Sequence, residues 1–213
     1  MRLLELFSGT GSVGKVFQEA GWEVTSVDIL PKCAGHVPTI CTSVVEIELD
    51  RWPEAHFDVI WASPPCKFFS RANSTGKKDY QHADRLVLHT FALIRALKPR
   101  YYFVENPQSG DLRKRPYMKE FFYADASYCK YSDWGYRKRT RIWHNCEHFK
   151  PLDCKRDCLN MAKNAAGRLV HRCSAQKGPT KGCADDQNFT TEQLYRIPPK
   201  LVEEVLRAVT TSW

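Results

Sequence analysis

The opening stretch "RLLELFSGTGSVGKVFQEAGWEVTSVDI" constrains this chain more than any other. A short apolar run meets three glycines, Gly9, Gly11 and Gly14. An amphipathic segment over residues 12 to 20 then carries Val13, Val16, Phe17 and Ala20 on one face, and a second apolar run ends at Asp28. Period 2, then period 3.6, then period 2 is the signature of a strand, a helix and a parallel strand. The unit recurs. A weak strand near 38 to 44 precedes "FDVIWA", and a helix from Asp84 to Leu97 turns Leu88, Phe91, Ile94 and Leu97 inward. "RYYFVEN" follows as a strand, "YMKEFF" as a short helix, and "ASYCKY" with "RTRIWH" as an antiparallel pair. Strands separated by helices predict an α/β fold with a doubly wound, mostly parallel sheet.

The chain of 213 residues, 43% hydrophobic, is long enough for one main domain, expected over 1–145. From 146 to 189 the periodicity stops in a polar, Lys- and Cys-rich insert. Residues 190–213 contain a final helix that begins at "RIPP", with Leu201, Val202, Val205, Leu206 and Val209 expected to dock back on the sheet. The N-terminus lacks the apolar core of a signal peptide, and no stretch approaches the roughly 18 apolar residues of a membrane span. A soluble intracellular protein is expected, cytoplasmic or nuclear, with no membrane partner.

The net charge of +8 is uneven: residues 98 to 181 hold 19 Lys and Arg against 8 Asp and Glu, which is +11 and leaves −3 elsewhere. That asymmetry suits a polyanion on one side of the molecule, or a solvated basic surface. The nine cysteines are an odd number in a chain too long to need staples, and they read as free thiols, with a metal cluster as the alternative among the later ones. "CKRDC" and "HRC" offer Cys154, Cys158, His171 and Cys173 as a ligand set for a structural zinc, although the spacings fit common zinc patterns poorly.

Glycines between a strand and a helix let a ligand approach the backbone at the helix start. Asp28 ends the next strand, where a carboxylate can accept hydrogen bonds from ribose hydroxyls. A nucleoside-containing cofactor follows, and the spacing alone leaves S-adenosylmethionine and a nicotinamide dinucleotide both open. In "WASPPCKFFS" two prolines stop a buried strand just before Cys66, which could fill a gap, bind metal, close a disulfide or act as a nucleophile. Glu105 and Asn106 end the neighbouring strand, so a thiol and a carboxylate are expected at one sheet edge beside the glycine loop.

"LELFSGTGS", "SPPCKFFS", "VENP" and "YRKRTRIW", in that order, resemble the motifs of the cytosine-C5 DNA methyltransferases, and "TTEQLYRIPPKLVEEVLRAV" resembles their closing motifs more loosely. The resemblance implies a Rossmann-like fold, S-adenosylmethionine as cofactor, DNA as partner with RNA as an alternative, and methyl transfer to cytosine C5 through a covalent bond from Cys66 to C6. It further implies Glu105 at the base's N3, Arg139 and Arg141 supporting the target pocket, Ser70 and Arg71 near phosphate or Cys66, and a cofactor pocket of Phe7, Ser8, Gly9, Thr10, Gly11, Asp28, Ile29 and Pro64. Arg137 stands where the family usually has Gln, and Ser43 or Glu46 where it has an Asp after the third strand. The insert is far shorter than the family's usual recognition domain, so sequence reading must be slight or come from a partner protein. A viral or phage gene is among the sources such a short form suits. A nicotinamide-dependent oxidoreductase and a catalytically silent nucleic-acid binder are the competing classes.

Overall fold

The computed structural model describes residues 1–69, 79–175, 178–179 and 189–211. In chain order the main strands are β1 (Arg2–Leu6), β2 (Glu23–Asp28), β3 (Ile40–Cys41), β4 (Val59–Ala62), β5 (Tyr101–Pro107), β6 (Tyr123–Ser127) and β7 (Arg139–His144). They form one sheet in the order β3-β2-β1-β4-β5-β7-β6. β1 to β5 pair with one another in parallel, and β7 lies antiparallel between β5 and β6. β1 pairs with both β2 and β4, so the winding reverses there and opens a crevice at the carboxyl ends of the strands.

Alternate strand residues enter two cores. Leu3, Trp61 and Phe103 pack with α1 (Ser12–Glu19) and the last helix, through Phe17, Leu201 and Val205. Leu4, Leu6, Ile60 and Val104 pack with α2 (Tyr80–Leu97), through Val87, Phe91 and Ile94. Coverage on both faces explains why every residue of β4 is buried.

α2 starts four residues before its expected start because Asp79 caps it, accepting the His82 N–H at 2.9 Å. Its inward stripe runs through Val87, Phe91 and Ile94, and Leu88, one position off that stripe, is 45% exposed. In α1 the buried stripe includes Gly14, while Ala20 is the exposed C-cap. "YMKEFF" yields only a 3-10 turn over Pro116–Met118, and its Phe121 ring stacks on Phe91 with centroids 4.1 Å apart. β5 continues through Pro107, which pairs with Thr140. The insert folds as small pieces. β8 (Met161–Lys163) and β9 (Leu169–His171) make a hairpin, and Cys173–Ser174 pairs with Gly178–Pro179. A short α3 (Thr191–Tyr195), closed by a Thr190/Gln193 capping box, leads into α4 (Pro199–Thr210), which packs on α1. No helix among the described residues is long and apolar enough to cross a membrane.

Candidate active site

β1 delivers the glycine loop into the crevice. Phe7, Gly9 and Gly11 all take positive φ, and Gly11 stands directly before α1 without a side-chain cap on the helix. Asp28 closes this loop from β2. One carboxylate oxygen accepts the Gly9 N–H at 2.8 Å and the other the Leu30 N–H at 2.9 Å. Asp28 is thereby half committed to holding the backbone, leaving the remaining lone pairs for a ligand. Beside it Ile29 is 68% exposed, an apolar side chain held out at the crevice end of β2.

Gly14 has a different reason to be glycine. Its N–H donates to the buried Glu5 carboxylate at 3.1 Å, and a Cβ there would sit 2.5 Å from that oxygen. Burial pushes the Glu5 carboxyl up to about 8 against the opposing backbone donors. The third glycine thus serves α1 against β1 rather than a ligand.

His36 had no motif to mark it. It reaches back from the turn after β2, its Nε2 lying 3.1 Å from Ser8 Oγ, and its ring packs where a Cβ on Gly11 would come within 2.5 Å. Burial lowers its basicity, with Asp28 opposing. Thr10 and Ser12 hydroxyls pair at 2.6 Å on the same loop.

β4 ends at Ala62, and Pro64 and Pro65 carry the chain to a 3-10 turn that begins at Cys66, which is half-buried. The loop is tied to β5: Asn106 Nδ2 donates to the Pro64 carbonyl at 2.8 Å. Cys66 then lies within electrostatic reach of Glu105, as the sheet-edge argument requires. Burial pushes the thiol up, Lys138 pulls it down, and Glu105 raises it again.

Glu105 is 6% exposed. Thr140 Oγ1 donates to its Oε1, and the Tyr128 hydroxyl donates to the same oxygen at 3.4 Å. Glu105 pairs with Ile142 and Pro107 with Thr140, so these alternate residues share one face of the sheet. Arg139 and Arg141 occupy the other. Arg139 makes two hydrogen bonds to Asp153, at 2.8 and 3.2 Å, and Arg141 two to Asp125, at 2.7 and 3.0 Å, with its guanidinium 3.6 Å from the Tyr123 ring centre. Among the described residues neither arginine hydrogen-bonds Glu105; the residue between them does. Thr140 supplies this contact to Glu105, because a strand that points two residues one way points their middle neighbour the other.

Lys138 is also buried. Its Nζ donates to the Leu194 carbonyl of α3 at 2.8 Å and lies 4.6 Å from the Tyr128 ring centre. Tyr195, the last residue of α3, is near enough to Cys66 and Cys33 to feel their charge. α3 therefore borders the crevice.

In the insert, Cys154, Cys158 and His171 converge as expected, and Cys173 does not join them. Its side chain is buried in the α1/α4 core, 3.7 Å from the Ser174 carbonyl. The fourth member is Cys129, from the turn after β6. The chain bends at Arg172, between the end of β9 at His171 and the Cys173–Ser174 strand, so the two residues do not keep the common face that alternate residues of one strand would share. Ser70, Arg71 and Cys183 lie outside the described residues.

Known proteins resemble this chain in sequence and in fold. A family profile described as C-5 cytosine-specific DNA methylase matches residues 1–121. The "Probable DNA (cytosine-5)-methyltransferase" of Frog virus 3 (isolate Goorha) is 34% identical over 229 aligned residues, covering 97% of this chain and 99% of that one. The type II methyltransferase M.XorII of Xanthomonas oryzae pv. oryzae is 29% identical over 75% of this chain and 40% of its own length. Among solved structures, a prophage-encoded DNA modification methyltransferase candidate (E. coli) superposes with a TM-score of 0.51 at 18% identity. It covers 71% of this chain, which spans about half of that structure's length (51%), and it supports the fold alone. With a profile over more than half the chain and a relative matched nearly end to end, the chain belongs to the C-5 cytosine-specific DNA methylase family.

Proposed function

We propose that this protein transfers a methyl group from S-adenosylmethionine to C5 of cytosine in DNA, with Cys66 as nucleophile. The observation that carries the reading is the Asn106 to Pro64 hydrogen bond, which joins the Pro-Pro-Cys loop to the strand end bearing Glu105, beside the glycine loop.

The residues at the crevice suit this cofactor. Ser8, Thr10 and the uncapped start of α1 offer polar groups to an amino-acid end, Asp28 offers acceptors to a ribose, and exposed Ile29 offers an apolar face to a purine. When bound, S-adenosylmethionine supplies an electrophilic methyl. Everything else falls to the chain and the base. Cytosine C5 is a weak nucleophile, so the Cys66 thiolate adds to C6 and the ring becomes an enamine nucleophilic at C5. Electron density moving toward N3 is met by a proton held at Glu105, a carboxyl kept in place by Thr140 and Tyr128. After C5 takes the methyl, a water accepts the C5 proton, the C6–S bond breaks with its electron pair returning to Cys66 as thiolate, and the N3 proton returns to Glu105, which restores the aromatic ring. Burial works against that thiolate, and Lys138 works for it.

A base inside a duplex is out of reach of Cys66, so the nucleotide must leave the stack, and the basic stretch from 98 to 181 supplies charge for the phosphates. The two arginine–aspartate pairs then hold β6, β7 and Asp153 of the insert in place rather than touching the base. With so short an insert, sequence context is read weakly or through a partner protein. The similarity to the Frog virus 3 protein supports a viral or phage source.

The test is labelled methyl transfer to DNA and RNA pools. Label is expected at C5 of cytosine in DNA, with Cys66→Ala reducing transfer by about three orders of magnitude or more. DNA containing 5-fluorocytosine should trap a covalent adduct only when Cys66 is present. Undiminished transfer by Cys66→Ala would remove the nucleophile assignment, and label confined to RNA would remove DNA as substrate.

A further inference from the structure

Three sulfurs and one imidazole nitrogen meet at the edge of the sheet next to β6. They belong to Cys129, Cys154, Cys158 and His171, and their ligand atoms all lie within 4.8 Å of one another. His171 Nε2 is 3.4 Å from Cys154 Sγ and 3.7 Å from Cys129 Sγ. A tetrahedron built on Zn–S bonds of about 2.3 Å and Zn–N bonds of about 2.05 Å has edges of about 3.8 Å between sulfurs and about 3.55 Å from sulfur to nitrogen. The two observed sulfur–nitrogen distances bracket the second figure. From this geometry we infer that Cys129, Cys154, Cys158 and His171 form a closed, four-ligand structural zinc site.

The four ligands come from three separate pieces of chain. Cys129 sits in the turn after β6, Cys154 and Cys158 bound a five-residue loop, and His171 ends β9. A small irregular segment with few buried side chains of its own gains most from such a clamp. Four protein ligands leave no open position for a substrate, which separates this site from a catalytic one. Zinc with three thiolates carries a net negative charge, and among the described residues Lys130, Arg137 and Arg156 lie close enough to act on these groups. Cys173, two residues from His171, is excluded by its place in the core.

The clamp has a consequence at the crevice. Cys129 directly follows Tyr128, whose hydroxyl donates to Glu105, and Cys154 directly follows Asp153, which binds Arg139 and Ser127. Metal binding therefore anchors the insert and the turn beside the target carboxylate together. The inference stands apart from the proposed methyl transfer, since metal content is read without any substrate.

The full-length protein, purified and dialysed, is assayed for metal by elemental mass spectrometry. About one zinc per chain is expected, falling to a small fraction in Cys129→Ser and His171→Ala, and retained in Cys173→Ala and Cys41→Ser. Because the first two variants can misfold, cobalt(II) is also added to chelator-treated wild type, where a tetrahedral thiolate spectrum is expected. Absence of both stoichiometric zinc and that spectrum would overturn the site. So would retention of zinc by Cys129→Ser, or a Cys154–Cys158 disulfide in protein isolated without oxidant.

Discussion

Lys138 lies between two arginine positions that a family motif draws attention to, and its charge favours the Cys66 thiolate. A cation near a thiol favours the thiolate, while burial opposes it. Lys138→Met should therefore move the rising limb of the pH–rate profile to higher pH and lower the rate at neutral pH by about tenfold for each unit of thiol shift. Lys138→Arg should restore most of it. A rate loss independent of pH would instead assign Lys138 to its Leu194 hydrogen bond and the docking of α3. Thr140 belongs to the same scale: it is the nearest donor to a carboxylate that is 6% exposed, and nothing in its residue type advertises that.

At the scale of elements, the strand-to-helix unit at the N-terminus rests on a contact unrelated to ligand. Gly14 lets α1 settle onto Glu5, and Gly14→Ala would force a Cβ to 2.5 Å from a carboxylate oxygen of a side chain that is only 2% exposed. A stability loss of about 1–3 kcal/mol is expected in urea denaturation. Glu5 itself predicts a pH dependence. Its folded value, about 8, lies above the ordinary 4.5 because burial disfavours charge. Its contribution is thus fully present below about pH 4.5 and declines as the unfolded chain ionises, levelling off above about pH 8. Glu5→Gln should flatten that slope, which amounts to up to about 5 kcal/mol over the window. An unchanged slope would place the pH dependence elsewhere. Elements also show where periodicity misleads: repeated steps of three from Leu88 to Leu97 drift around a helix of 3.6 residues per turn, so the buried stripe of α2 passes through Val87 and leaves Leu88 45% exposed.

Across the whole molecule, the first helix and the last share one core. Leu201, Val202, Val205, Ala208 and Val209 of α4 are buried with Val13, Val16 and Phe17 of α1, so residues nearly 200 positions apart in the chain support the same face of the sheet. Leu201→Ala should cost about 2–5 kcal/mol and shift the entire unfolding transition, rather than releasing α4 alone. A separate early transition would show that the C-terminal segment is only loosely attached. The same long closure brings α3 and its Tyr195 to the crevice, which a reading of local pattern has no means to anticipate.

The sequence by itself determined the α/β alternation, the glycine loop with Asp28, and Cys66 and Glu105 on neighbouring strand ends. Each of these is carried by a local signal: a period of 2 or 3.6, a turn residue, a proline that stops a strand. Only the tertiary structure decided which groups surround them. Thr140 rather than an arginine meets Glu105 because strand register chooses the face. His36 covers Gly11 because a turn folds back across 25 residues. Cys129 replaces Cys173 beside His171 because the partners of a side chain 42 residues away are set by packing, and no spacing along the chain encodes that distance.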